Sequence, residues 1–206
     1  MISMILKGGP IMYPIILGSI LAFAIVIERL FHLHRAKIDT GKFMDSIANT
    51  LRRNKIIEAI ETCDKTRGPI AHILKAGIMK HDRPRLEIKE AIEDAGLYEI
   101  PRLEKNVAVL ATIAHISPLL GLLGTVMGMI RCFQTIQEKS STLHPVSPGD
   151  LAGGIWEALI TTVAGLTVAI PALVAYNYLV TKVNEFVLDM EKAATDLINI
   201  LTQRGR

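Results

Sequence analysis

Glu157 stands alone as an acid inside a stretch of 31 residues, Leu151 to Thr181, that carries no other formal charge. A carboxyl held among apolar residues can take up and release a proton, or it can serve as a structural anchor bonded to a neighbouring helix. Thr161 and Thr162 follow within five residues, and Thr125 lies in a second uncharged stretch. Hydroxyls that share an axis with a carboxyl can hold water and relay protons; a lone threonine in an apolar helix more often bonds back to its own backbone. His115, upstream of Thr125, is a group that titrates near neutral pH or a hydrogen-bonded packing residue. No nucleophile–base pair and no histidine-rich metal cluster falls in these stretches, so no enzyme, metal or cofactor is expected. Cys63 and Cys132 are far apart and form no CxxC, which excludes a disulfide framework and a four-thiolate zinc site.

The elements that must position these groups are helices. The chain has 206 residues, half of them apolar but only 5% aromatic. Three stretches lack charge: Gly8 to Ile27, Asn106 to Ile130, and Leu151 to Thr181 apart from Glu157. Each is long enough to cross a hydrocarbon core of about 30 Å, which needs roughly 20 helical residues. They lack the alternation of a barrel strand, so the predicted fold class is all-α, an integral membrane protein with three transmembrane helices and long cytoplasmic extensions. The first stretch runs into Glu28-Arg29 with no small-residue cleavage site, as an anchor does. A net charge of +3 gives no footprint for nucleic acid.

Lys and Arg near the spans set the expected orientation. Arg29, Arg35, Lys37, Arg102 and Lys105 flank the first two spans, and Lys182 follows the third. The expected order is a periplasmic N-terminus with the first span (1–31), a cytoplasmic helical segment (32–105), the second span (106–135), a periplasmic loop (136–147), the third span (148–181) and a cytoplasmic C-terminal helix (182–206). In the cytoplasmic segment, Asp39 or Thr40 caps a helix to about Arg53, a second covers Lys55 to Lys65, and Gly68-Pro69 breaks the chain before a third. Gly96 or Pro101 should bend or restart the charged helix that follows Pro84. Ser147-Pro148-Gly149-Asp150 reads as a helix start. Gly121, Gly124 and Gly128 on the second span, with Gly154 and Gly165 on the third, provide small-residue faces for close helix packing.

Ser117-Pro118-Leu119-Leu120-Gly121-Leu122-Leu123-Gly124-Thr125-Val126 resembles the second-helix signature of the ExbB/TolQ proton-channel proteins, in the MotA/TolQ/ExbB superfamily. Gly154-Ile155-Trp156-Glu157-Ala158-Leu159-Ile160-Thr161-Thr162, then Gly165 and Ala169-Ile170-Pro171-Ala172, is similar to its third-helix signature. Gly8-Gly9-Pro10 and Glu28-Arg29-Leu30 resemble the first helix and its exit. The resemblance implies a bacterial inner-membrane motor subunit, ExbB-like, that forms a homo-oligomeric ring, commonly a pentamer. Such a ring surrounds an ExbD/TolR-like single-span partner, expected as a dimer, and proton flow drives a TonB/TolA-like protein across the periplasm. It further implies that Thr125 and Thr162 face the ring lumen and that Glu157 is the family's third-helix glutamate. Thr161 takes a position that often holds Ala or Ser, and His115 and Ser117 replace the small residue and Ala usual there, leaving open whether His115 tunes proton exit. The rival reading is a three-span scaffold that conducts nothing.

Overall fold

A computed structural model describes residues 8–141 and 147–204. Among these residues the secondary structure is entirely helical. Seven helices follow in order: α1 Met12–Ala36, α2 Thr40–Arg52, α3 Ile56–Lys65, α4 Pro69–Met79, α5 Arg85–Glu104, α6 Val107–Ser141 and α7 Pro148–Arg204. Three helices are long and apolar enough to cross a membrane. Residues 142–146, within the expected 136–147 loop, lie outside the described residues, as does the side chain of Asp150, the acid of the expected helix start.

The helices group into two compact units, one made of the chain up to Ile27 with Asn106–Tyr178, the other of Glu28–Lys105 with the chain from Leu179. The first unit turns many apolar side chains outward. Leu17, Phe23, Leu122, Val126, Leu159, Val163 and Val174 are all exposed. In water so much bare hydrocarbon would be untenable; lipid tails or further protein are the surroundings it suits.

The unit buries Met12, Ile15 and Leu110, but along the line where α6 meets α7 what it buries is small. A methyl group added at Gly165 would lie 2.5 Å from the Ser117 carbonyl oxygen and 3.1 Å from the Gly121 Cα. One at Gly121 would lie 3.1 Å from both the Thr161 carbonyl oxygen and the Thr162 Cα. One at Gly128 would meet the Gly154 carbonyl oxygen at 2.7 Å, and one at Gly154 the Gly128 carbonyl oxygen at 2.8 Å. At Gly124 the obstacle is the side chain of Thr161. As α6 advances from Ser117 to Gly128, its contacts on α7 recede from Gly165 to Gly154, so the two helices pack antiparallel along one seam. Backbones this close gain dispersion and Cα–H···O contacts that larger residues would forbid. Pro118 and Pro171 lie inside α6 and α7 without ending either helix.

The second unit is built as a water-soluble protein is built. Asp39 caps α2, its carboxylate accepting from the Lys42 backbone N–H at 3.1 Å, and that bond holds its pKa below the usual carboxylate range. Phe43, Met44, Ile47 and Leu51 form the buried stripe of α2. Gly68 takes φ 127°, a conformation closed to other residues, and a side chain there would also meet the Ala36 carbonyl oxygen at 2.9 Å. Pro69 then opens α4 at its first position, where its missing N–H costs nothing. α4 is the most enclosed element: Ile70, Ile73, Leu74 and Ile78 are all buried, and Gly77 lets Ile92 of α5 and Leu197 of α7 close in. Each such Leu or Ile contributes about 1.5–3 kcal/mol relative to an exposed one. Val183, Phe186, Met190, Leu197 and Leu201 supply the stripe from α7, with Ala193 buried more fully than Ala194.

Two local features differ from expectation. α5 runs unbroken through Gly96 and Pro101; the restart comes at Asn106, which adopts φ 61° between α5 and α6. Pro101 falls in the last turn, where its missing N–H leaves the Leu97 carbonyl without its helical donor but does not restart the helix, and asparagine tolerates the left-handed conformation that the turn at Asn106 needs. Arg29 is 3% exposed, donating to the Arg102 carbonyl at 3.2 Å near the end of α5 and to Glu28 at 2.6 Å. An arginine there satisfies a carbonyl that the ending helix cannot.

Gly128→Val should lower the thermal unfolding midpoint in detergent, by about 1–3 kcal/mol of overpacking, because the obstructing atoms are backbone and cannot step aside. Gly153→Ala, where a methyl meets nothing within 4 Å, should leave it unchanged or raised. Burial, reinforced by Asp64, pushes the Cys63 thiol up to about 11 from an ordinary value of 9.0. The unfolded chain therefore releases this proton first, so the second unit should lose stability as pH rises from 9 towards 11, and Cys63→Ala should flatten that loss in pH-dependent melts. At a fixed pH below 9, alkylation of folded Cys63 should be about a hundredfold slower than of the unfolded chain.

Candidate functional site

The seam between α6 and α7 divides the residues singled out above. Thr161 falls inside it, with 0% exposure, pressed against Gly124. Its hydroxyl donates within its own helix, to the Ala158 carbonyl at 2.9 Å and the Glu157 carbonyl at 3.0 Å. Thr161, expected with less weight among the pore-lining groups, is packed shut within the subunit, because its γ-methyl and hydroxyl fill the volume that Gly124 leaves empty.

Thr162 and Thr125 sit at the margin of the same seam and are half-buried. The Thr162 hydroxyl donates across the helices to the Gly121 carbonyl at 3.2 Å, and lies 3.4 Å from the Ala158 carbonyl of its own helix. Thr125 follows Gly121 by four residues, so it stands one turn further along the same face of α6. Its hydroxyl donates to the Leu122 carbonyl at 2.6 Å. Each hydroxyl thus spends its proton on a backbone carbonyl and keeps its oxygen lone pairs available to water. His115 is exposed on α6 and turns back on its own helix, where Nδ1 lies 2.7 Å from the Ala111 carbonyl. A carbonyl can only accept, so Nδ1 carries the proton of that bond and Nε2 is left for other partners. Ser117 is buried in the seam and donates to the Ile113 carbonyl at 2.7 Å.

Glu157 has a partner that sequence reasoning missed. Its carboxylate forms an ion pair with the Arg131 guanidinium of α6, and the two side chains are 15% and 41% exposed respectively. Arg131 is the first charge after the second uncharged stretch, which was the available signal; it was read only as a boundary, since 26 residues separate the pair. The third contributor is the turn before α1. Gly9 has φ 67°, and any side chain on it would run into the Glu157 carboxylate. That turn is held by the Met12 N–H donating to the Gly9 carbonyl at 3.2 Å.

Within one subunit, then, the first unit carries an ion pair near the α6–α7 connection and two half-exposed hydroxyls along the seam. The described residues hold no group of three or more His, Cys, Asp or Glu arranged to bind a metal ion. The groups gathered here are hydroxyl oxygens and a carboxylate, which can hydrogen-bond water and exchange protons with it.

Comparison with known proteins points the same way. Residues 65–192 match the family model described as the MotA/TolQ/ExbB proton channel family. A Tol-Pal system protein TolQ of Haemophilus influenzae is 33% identical over 199 residues, spanning 91% of this chain and 85% of its own length. An ExbB-like biopolymer transport protein of Synechocystis is 31% identical over 172 residues, 84% of this chain and 81% of its own. An ExbB homolog of Methanothermobacter thermautotrophicus is 26% identical over 185 residues; the match spans 89% of this chain but 64% of that longer protein. Matching motifs, three apolar helices and relatives that align over most of their length carry one conclusion: the chain is a membrane protein of the MotA/TolQ/ExbB family, on its ExbB/TolQ branch.

Proposed function

We propose that several copies of this chain, five by the family pattern, form a ring in the inner membrane that conducts protons together with an ExbD/TolR-like single-span partner, present as a dimer. The N-terminus and the α6–α7 connection face the periplasm and the second unit faces the cytoplasm. Thr125 and Thr162 line the ring's lumen, and Glu157 guards its periplasmic end. The observation that carries this reading is the placement of two half-buried hydroxyls on one edge of the α6–α7 seam, Thr162 donating across it to the Gly121 carbonyl and Thr125 standing one turn further along. Lipid offers such hydroxyls nothing, whereas a ring gathers them around water.

Each proton crossing the membrane potential releases about 2.3 kcal/mol per 100 mV. A carboxylate on the partner, neutral when protonated and charged when not, changes its attraction for a polar lumen at each step. An interface with several equivalent resting positions turns that change into relative movement. The work passes to a TonB- or TolA-like protein, in keeping with the biopolymer transport and Tol-Pal names of the relatives. No catalytic residue and no cofactor enters this mechanism.

Reconstitution of the chain with its single-span partner in liposomes under an imposed proton gradient tests the reading. Wild-type complex should pass protons. The double variant Thr125→Val, Thr162→Val should insert and assemble to the same mass but lose flux, and Glu157→Ala should do likewise. A complex that assembles and passes no protons would make the chain a scaffold; full flux in these variants would remove the three residues from the path.

A further inference from the structure

We propose that Arg131 and the Gly9 turn together form a socket that positions the Glu157 carboxylate, with Arg131 as the positioning residue through which that carboxylate acts. The inference rests on the proton-conducting reading above and adds to it two residues, one on each flanking helix element. Three observations converge on the same carboxylate. Arg131 reaches it from α6 as an ion pair. Gly9 reaches it from the turn before α1, where both a positive φ and the carboxylate itself exclude any side chain. Thr161, locked against Gly124, fixes the backbone beneath it by donating to the Glu157 carbonyl at 3.0 Å.

A glutamate side chain has three rotatable bonds and, left alone on a helix, would sample many positions. Here it is paired with Arg131, bounded by the Gly9 turn and 15% exposed, so its freedom is narrowed. Its exposure is much below the 41% of its partner, so Arg131 is the member that can swing away while Glu157 stays. Removing Arg131 leaves a part-buried carboxylate with no ion-pair partner among the described residues, and the group must then turn, or recruit water in its place. The geometry therefore gives Arg131 a part in proton entry that the uncharged stretches alone do not reveal.

The test uses the full complex in liposomes with Arg131→Ala, Arg131→Gln and Arg131→Lys, read by proton flux and by infrared difference spectra in which Glu157→Gln identifies the Glu157 carboxylate band. Arg131→Ala should shift or broaden that band and cut flux about tenfold, less than for a fully buried pair because Arg131 is 41% exposed. Arg131→Lys should recover most of both, since it keeps the charge, and Arg131→Gln should recover neither. Recovery by Gln equal to that by Lys would reduce Arg131 to packing and overturn the proposal, as would an unchanged band in Arg131→Ala. Absence of flux in the wild-type complex would instead sink the conduction reading, and the band would still decide whether Arg131 positions the carboxylate.

Discussion

Two helices in lipid gain nothing from hiding apolar surface from one another, because the tails they leave are as apolar as the partner they meet. What α6 and α7 gain is proximity of backbone to backbone. Gly165 against Ser117 and Gly121, and Gly128 against Gly154 and Ala158, bring main-chain atoms into contact over several turns. Everything chemical in the first unit takes its place from that approach. Thr161 is shut in because Gly124 admits it, Thr162 reaches the Gly121 carbonyl because no side chain intervenes, and Arg131 and Glu157 meet because the seam brings their helices to one level.

The second unit answers to a different solvent and uses different means. Its elements are short, each started or stopped by a local device: the Asp39 cap, the Gly68 turn, the proline that opens α4. Its stability comes from Ile, Leu and Phe withdrawn from water, with α4 enclosed among its neighbours. Arg29 belongs to this design as well, a nearly buried cation that takes up a carbonyl where α5 ends. One chain thus follows two packing rules, with glycines and Thr161 at the α6–α7 seam and aliphatic side chains such as Leu122 and Val163 outside it, and with Ile, Leu and Phe withdrawn into the core of the second unit.

The helical class, the three long apolar helices and the family could all be read from the sequence, since absence of charge over 20 or more residues and a run of spaced glycines survive without coordinates. So could the stop at Gly68-Pro69, where backbone chemistry is local. The places where reading fell short are those where the deciding contact is distant in the chain. Arg131 and Glu157 are 26 residues apart, and Gly9 is further from either. Thr161 and Thr162 are adjacent and chemically identical, yet one is enclosed and the other half-exposed; only the rotation of α7 about its axis tells them apart. Gly96 and Pro101 read as places to bend or restart α5, and the helix restarts at neither; the restart is at Asn106, whose left-handed backbone no local sequence signal announced.

The tightness of the seam also constrains how this protein can change over generations. Glycine is the smallest residue there is, so a bulkier side chain arriving at Gly128 finds the Gly154 backbone before it and no further shrinkage available on the other helix to make room. Compensation across that line is closed, and drift there should end in loss of the pair. Leu122, Val126 and Val163, whose side chains point away from the seam, can exchange among aliphatic types under no such restriction from within the subunit. Any restriction found on them would be the imprint of neighbours, and would trace the outline of whatever this chain stands beside.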